Sequence, residues 1–89
     1  MPRIRFTRHL ERHVACPAGE VAGESVRAAL EHYFASHPAV RSYVLDERGA
    51  LRTHVAIFID GVSVSDRATL SDSLSPDSTI DVMQALSGG

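Results

Sequence analysis

The sequence contains no lysine: its nine side-chain cations other than histidine are all arginine. A protein without a side-chain ammonium can be joined to others through its own carboxylate, but it cannot build lysine-linked chains of itself. Cysteine is almost absent too. Cys16 stands alone, so no intrachain disulfide can form and cysteine-rich zinc or iron–sulfur sites are excluded; it is expected to be a small buried or half-buried apolar residue. No apolar run approaches the roughly 20 residues that span a bilayer. Met1-Pro2-Arg3-Ile4-Arg5-Phe6 lacks the apolar stretch of a secretory signal. A cytoplasmic protein with no membrane partner is the expectation. A formal net charge of −2 does not supply the basic footprint of a general nucleic-acid binder, so no nucleic-acid partner is expected. The chain also lacks a phosphate-cradling glycine loop. Ser71, Ser73, Ser75 and Ser78 have no Gly-x-Ser-x-Gly elbow around them, so serine nucleophilic catalysis has no support.

What is present is ordinary in amount and informative in order. Eighty-nine residues, 44% hydrophobic and 22% charged, make one soluble globular domain with a single core. Residues 3 to 9 read as a strand with Ile4 and Phe6 inward and Arg3, Arg5 and Thr7 outward. Leu10 to His13 reads as a turn, and Val14-Ala15-Cys16 as the start of an antiparallel second strand whose extent Pro17, Gly19 and Gly23 obscure. Val26, Ala29, Leu30, Tyr33 and Phe34 form one helical stripe. Ser25 is placed to cap that helix, and Pro38 to end it by Ser36 or His37. Val40 to Leu45 is expected as a third strand and Asp46-Glu47-Arg48-Gly49 as a turn. Leu51, Val55, Ile57 and Ile59 share one parity and predict a strand over 51–59. Asp60-Gly61 then predicts a tight hairpin into Val62 and Val64. Leu70 and Leu74 are spaced to reach the core.

The last stretch carries most of the functional content. Ile80 and Val82 alternate with Asp81 and Met83, so a strand runs almost to the end before giving way to Leu86-Ser87-Gly88-Gly89. Glycine, lacking a Cβ, lets a chain thread a narrow channel and expose its carbonyl to a nucleophile. An amphipathic helix with one sheet to cover points to an α+β, β-grasp architecture. It is a mixed sheet covered on one face by one main helix, with the first and last strands side by side and parallel. The domain is expected over 1–85 and the tail over 86–89.

The helix-plus-sheet order, the Ile59-Asp60-Gly61-Val62 hairpin, Leu70 in the late loop and the ending Leu86-Ser87-Gly88-Gly89 resemble the ThiS/MoaD family of ubiquitin-like sulfur carriers. The resemblance covers nearly the whole chain, and its specific part is 54–89. The family commonly has Gly-Asp before the last strand and prolines after it, where this chain has Pro76-Asp77-Ser78 and Gln84-Ala85. The resemblance implies that the Gly89 carboxylate is the reactive group. An E1-like adenylating enzyme would activate it with ATP and magnesium, which belong to that enzyme. A sulfur donor (a persulfide enzyme or a rhodanese) would convert it to a thiocarboxylate, and a downstream synthase would accept the sulfur for molybdopterin, thiamine, cysteine or a related product. The protein would be a co-substrate, not an enzyme, and would bind no cofactor or metal itself.

Parity places Phe58 and Met83 on the open face of the sheet, where related carriers are recognised, and makes them candidate partner contacts with Leu86, Ser87 and Gly88. His9 and His13 have a ligand-like i, i+4 spacing but straddle an expected strand and turn. His32 and His37 are expected to be solvated, and His54 to lie on the surface. Two other functions compete with the carrier: a ubiquitin-like modifier conjugated through Gly89 to lysines of targets, and a β-grasp interaction module with an inert tail.

Overall fold

Alternation of Ile4 and Phe6 with Arg3 and Arg5 produces the first strand, β1 (Arg3–Phe6), with its apolar residues buried and its arginines exposed. A computed structural model describes residues 1–84. After β1 come α1 (Arg8–Glu11), β2 (Gly19–Glu20), α2 (Val26–Ser36), α3 (Pro38–Val44), β3 (Val55–Ile59), β4 (Val62–Ser63) and β5 (Thr79–Gln84). The five strands form one sheet in the order β2-β1-β5-β3-β4. β1 and β5 are parallel, with Ile4 beside Ile80 and Phe6 beside Val82. The other pairings are antiparallel. This is the expected β-grasp: first and last strands central, and the crossover between them running through the helices.

α2 is the main covering helix. Ser25 caps it, its Oγ accepting from the Ala28 amide at 3.2 Å, and Pro38 follows its last turn. Val26, Ala29, Leu30, Tyr33 and Phe34 share one core with Ile4 and Phe6 of β1, Ile57 of β3, and Ile80 and Val82 of β5. The Phe6 and Tyr33 rings lie 4.9 Å apart across it.

Four local expectations are corrected. Residues expected as a third strand form α3. Pro38, read as a stop signal, occupies the first turn of a new helix, where its missing N–H costs nothing, and Val40 and Val44 are both fully buried one turn apart. The strand beside β1 is Gly19–Glu20 and not Val14-Ala15-Cys16. Cys16 instead turns into the core, and the Tyr33 hydroxyl donates to the Pro17 carbonyl at 2.8 Å. The expected turn after β1 is a short helix that buries Leu10. β3 begins at Val55, while Leu51 makes only an isolated bridge to Leu45.

The Asp60-Gly61 hairpin forms as expected, with φ of 50° and 86° at its two central residues. Asp60 also ties that turn to the start of β5. Its Oδ1 accepts from the Thr79 amide at 2.9 Å, and its own amide donates to the Thr79 carbonyl at 2.9 Å. The loop between β4 and β5 is organised around carboxylates. Asp66 accepts from the amides of Ala68, Thr69 and Ser71 and from the hydroxyls of Thr69 and Ser71. These donors, led by the two hydroxyls, hold its carboxyl well below the usual range. Asp72 accepts from the amides of Ser65 and Asp66, each at 2.9 Å. Leu70, at φ 56°, is thereby driven fully into the core, and Leu74 packs against it.

Candidate functional site

β5 is the element on which the site depends. Its residues from Thr79 to Val82 pair with β1 on one side, and those from Ile80 to Gln84 pair with β3 on the other. At its far end Gln84 lies opposite Val55, and the Thr7 amide donates to the Val82 carbonyl at 3.1 Å. A central strand with both ladders made is among the last elements of a domain to open locally. The chain therefore passes to Ala85 from a fixed point. The candidate residues Leu86, Ser87, Gly88 and Gly89, and with them the expected tail, lie outside the described residues.

The face of the sheet away from the helices is open. Across its middle runs a row of neighbouring positions, Arg5 on β1, Asp81 on β5 and Phe58 on β3. The Arg5 guanidinium grips Asp81 as a fork, Nε to Oδ1 at 2.8 Å and a terminal nitrogen to Oδ2 at 3.0 Å. Met83, one step along β5 towards the exit and diagonal to Phe58, is 42% exposed. Together with Thr7 and Gly61 these side chains line a shallow depression of about 450 Å³. The structure thus brings Phe58 and Met83 onto one surface. Sequence reasoning missed the Arg5–Asp81 fork, for which the available signal was the parallel pairing of the first and last strands, which sets those two charges side by side. The depression consequently has an apolar side and a self-neutralised charged side.

The remaining candidates carry little chemistry. His9 sits on α1 and not on a strand; its ring meets His13 edge-on at 5.3 Å, and His13 stacks on Tyr43. Among the described residues no group of three or more His, Cys, Asp or Glu is arranged to hold a metal. His54 is exposed. His32 and His37 are not simply solvated. Nδ1 of His32 accepts from the Ala22 amide at 3.2 Å, and His37 stacks on Tyr33 at 4.3 Å between centroids. Burial, and then the nearby Glu11 carboxylate, raise the Cys16 thiol pKa, which suppresses the thiolate a nucleophile would need. No helix among the described residues is long and apolar enough to cross a membrane.

No family model and no curated protein sequence matches the chain. Solved structures do. A chain of the Amycolatopsis orientalis BexX/CysO complex superposes with a TM-score of 0.84 at 16% identity, over 100% of both chains. CysO from Mycobacterium tuberculosis gives 0.82 at 15% identity, covering 97% of this chain and 100% of that one. SAMP1 from Haloferax volcanii gives 0.78 at 21% identity, over 99% of this chain and 98% of the other. Likeness of this extent at such low identity establishes the ubiquitin-like β-grasp fold over essentially the full chain.

Proposed function

We propose that the protein is a small cytoplasmic sulfur carrier whose reactive group is the Gly89 carboxylate. The observation that supports this most is the position of β5, paired with β1 as far as Val82 and with β3 as far as Gln84, just before Ala85-Leu86-Ser87-Gly88-Gly89. A carboxylate is a poor electrophile, because its charge repels nucleophiles and oxide is a poor leaving group. In this reading an E1-like adenylating enzyme, carrying ATP and magnesium, joins the carboxylate to the α-phosphorus and releases pyrophosphate. The terminal sulfur of a persulfide enzyme or rhodanese then attacks the acyl carbon and AMP leaves. A thiol cleaves the resulting S–S bond, supplying two electrons and freeing the thiocarboxylate, which passes its sulfur to a downstream synthase in cofactor or metabolite biosynthesis. This chain contributes geometry: the strand holds the tail's origin still, and Phe58 and Met83 with Leu86, Ser87 and Gly88 offer the contacts that orient it. Acid–base and electrostatic catalysis belong to the partners.

The second reading is a protein modifier conjugated through Gly89 to lysines of targets. It draws support from the structural likeness to proteins described as small archaeal modifier protein 1, from Haloferax volcanii and Methanosarcina acetivorans. Both readings require adenylation, and intact mass separates them. With the activating enzyme, ATP and a sulfur donor, the carrier gains the mass difference of one oxygen replaced by sulfur, and removing Gly89 abolishes the gain. Covalent conjugates in place of that shift would select the modifier. Activity indifferent to loss of Gly88 and Gly89 would remove both.

A further inference from the structure

The formal net charge of −2 conceals a separation of charge along β5. Where β5 begins, acids dominate: Asp60 is bonded to Thr79, Asp77 lies just before the strand, and Glu20 sits across from Arg3. Where β5 ends, cations dominate. β1 runs parallel to β5, so α1, which follows β1 directly, packs beside the end from which the chain departs. That helix and the next turn read Arg8-His9-Leu10-Glu11-Arg12-His13. On the other flank His54 precedes Val55, the residue opposite Gln84. Arg8 and Arg12 are exposed, and neither side chain makes an ion pair or hydrogen bond among the described residues. Arg3 and Arg48 are likewise exposed and unpaired among the described residues, whereas Arg5 grips Asp81 and Arg41 grips Glu31. Two guanidiniums unpartnered among the described residues and three imidazoles, with Glu11 as the sole carboxylate of that helix, therefore lie on segments flanking the end of β5.

We propose that this end of the molecule docks on an acidic protein surface around the mouth of the channel that receives residues 85–89, namely on the activating enzyme. The inference rests on the carrier reading. It assigns a second recognition surface beside the open sheet face, through the orienting effect of complementary charge. Opposed potentials steer an encounter and raise its rate by factors of about 10 to 1,000, falling steeply with salt. With the acidic end pointing away, a partner acidic at its channel mouth attracts the exit end and repels the other. The tail then arrives first.

The test compares wild type with the double variant Arg8→Glu/Arg12→Glu and with the single variant Arg3→Gln, which neutralises a charge at the opposite end. ATP–pyrophosphate exchange by the adenylating enzyme is read across a salt series, and melting curves check the fold. The expected result is a fall in kcat/KM of tenfold or more for the double variant at low salt, with its rate nearly flat in salt while that of the wild type declines. Arg3→Gln should follow the wild type, and all three should melt alike. A double variant that exchanges like the wild type at every salt concentration overturns the inference and leaves the carrier reading intact. Exchange with none of the proteins overturns the carrier reading instead. Retention on immobilised poly-L-glutamate then still decides the basic face: salt-sensitive retention of wild type and Arg3→Gln but not of the double variant sustains it, and equal elution of all three refutes it. Retention on single-stranded DNA that depends on Arg8 and Arg12, with exchange unaffected, would assign the surface to nucleic acid and overturn the proposal.

Discussion

Two adjacent residues of β3 offer the sharpest test of how the sheet divides its faces. Ile57 is fully buried against the helical layer, and Phe58 lines the depression on the opposite face. Replacing a buried isoleucine by alanine forfeits the transfer free energy of the lost methyl groups and leaves a cavity, about 2–5 kcal/mol in all. Set against a stability of roughly 5–15 kcal/mol for a domain, and with about 4–8 °C lost per kcal/mol at this size, Ile57→Ala should lower the melting midpoint by roughly 10–40 °C. Phe58→Thr removes a half-buried ring and puts a β-branched residue of high strand propensity in its place, so its cost should stay below about 1.5 kcal/mol. Threonine is a cleaner choice than aspartate here. Asp81 lies directly across from position 58, and a second carboxylate there would add cross-strand repulsion unrelated to docking. Circular dichroism melts of the two variants give the stability arm, and adenylation kinetics give the functional one. Phe58→Thr is expected to raise KM about tenfold, the loss of one well-packed interface contact, while Ile57→Ala loses activity only as it unfolds. Equal destabilisation by the two substitutions would refute the assignment of faces. Unchanged adenylation kinetics in Phe58→Thr would take that residue out of the interface.

Three further outcomes follow from packing and charge. A Cβ added at Gly23 would lie 2.6 Å from the Ala29 amide nitrogen and 2.9 Å from the Ala28 carbonyl carbon, so Gly23→Ala should cost about 1–3 kcal/mol as the segment shifts off α2; a urea midpoint equal to that of wild type would show that the approach is loose. Ser25→Ala removes the N-cap acceptor of α2 and should cost about 1 kcal/mol in the same assay, whereas Ser36→Ala at the exposed end of the helix should cost nearly nothing. Asp66→Asn tests the loop. Because folding lowers this carboxyl's pKa, its contribution is fully present above the unfolded value of about 3.9 and is lost as pH falls through the folded value. The variant should thus be less stable than wild type at pH 7, with a gap that narrows at pH 3; a gap independent of pH would mean that the hydrogen bonds do not depend on the charge.

The strands with clean period-two alternation were legible because each has one buried face: Ile4 and Phe6 in β1, Val55 and Ile57 in β3, Ile80 and Val82 in β5. α2 was legible for the same reason at period 3.6, reinforced by Ser25 and Pro38. α3 was not, since Val40, Tyr43 and Val44 satisfy a short apolar run of either kind, and a proline can close one helix and open the next. β2 was misplaced because its two residues have no pattern of their own. They pair because the edge of β1 is available, and the Val21 amide reaches the Pro2 carbonyl at 2.9 Å. The site was half legible. Parity sufficed to place Phe58 and Met83 on one face. The Arg5–Asp81 fork and the basic exit end depend on which strands are neighbours and in which direction they run, and no local window contains that information.

On the carrier reading, a protein that brings no catalytic groups of its own must be recognised by shape and charge, which sets a requirement on where its features lie. One contact patch would let the domain rotate about the patch and swing the tail's origin; a shift of that origin by an ångström is already costly for a reacting acyl group. The sheet supplies two references that do not lie on one line. Phe58 and Met83 define a face normal to the sheet, and Arg8 and Arg12 define a direction along β5, away from Asp60 and Asp77. Both are attached to one sheet: Phe58 lies on β3 and Met83 on β5, and α1, which carries Arg8 and has Arg12 as its C-cap, follows β1 directly. An enzyme that reads the face and the exit end together therefore fixes every rotation of the domain before the tail engages, and losing either reference should scatter the tail's approach without weakening the fold. On this view combining Phe58→Thr with Arg8→Glu/Arg12→Glu gives a loss in kcat/KM smaller than the product of the separate losses, because the first loss already frees the rotation. A strictly multiplicative result would mean that the two surfaces contribute affinity independently and that orientation is set by the tail alone.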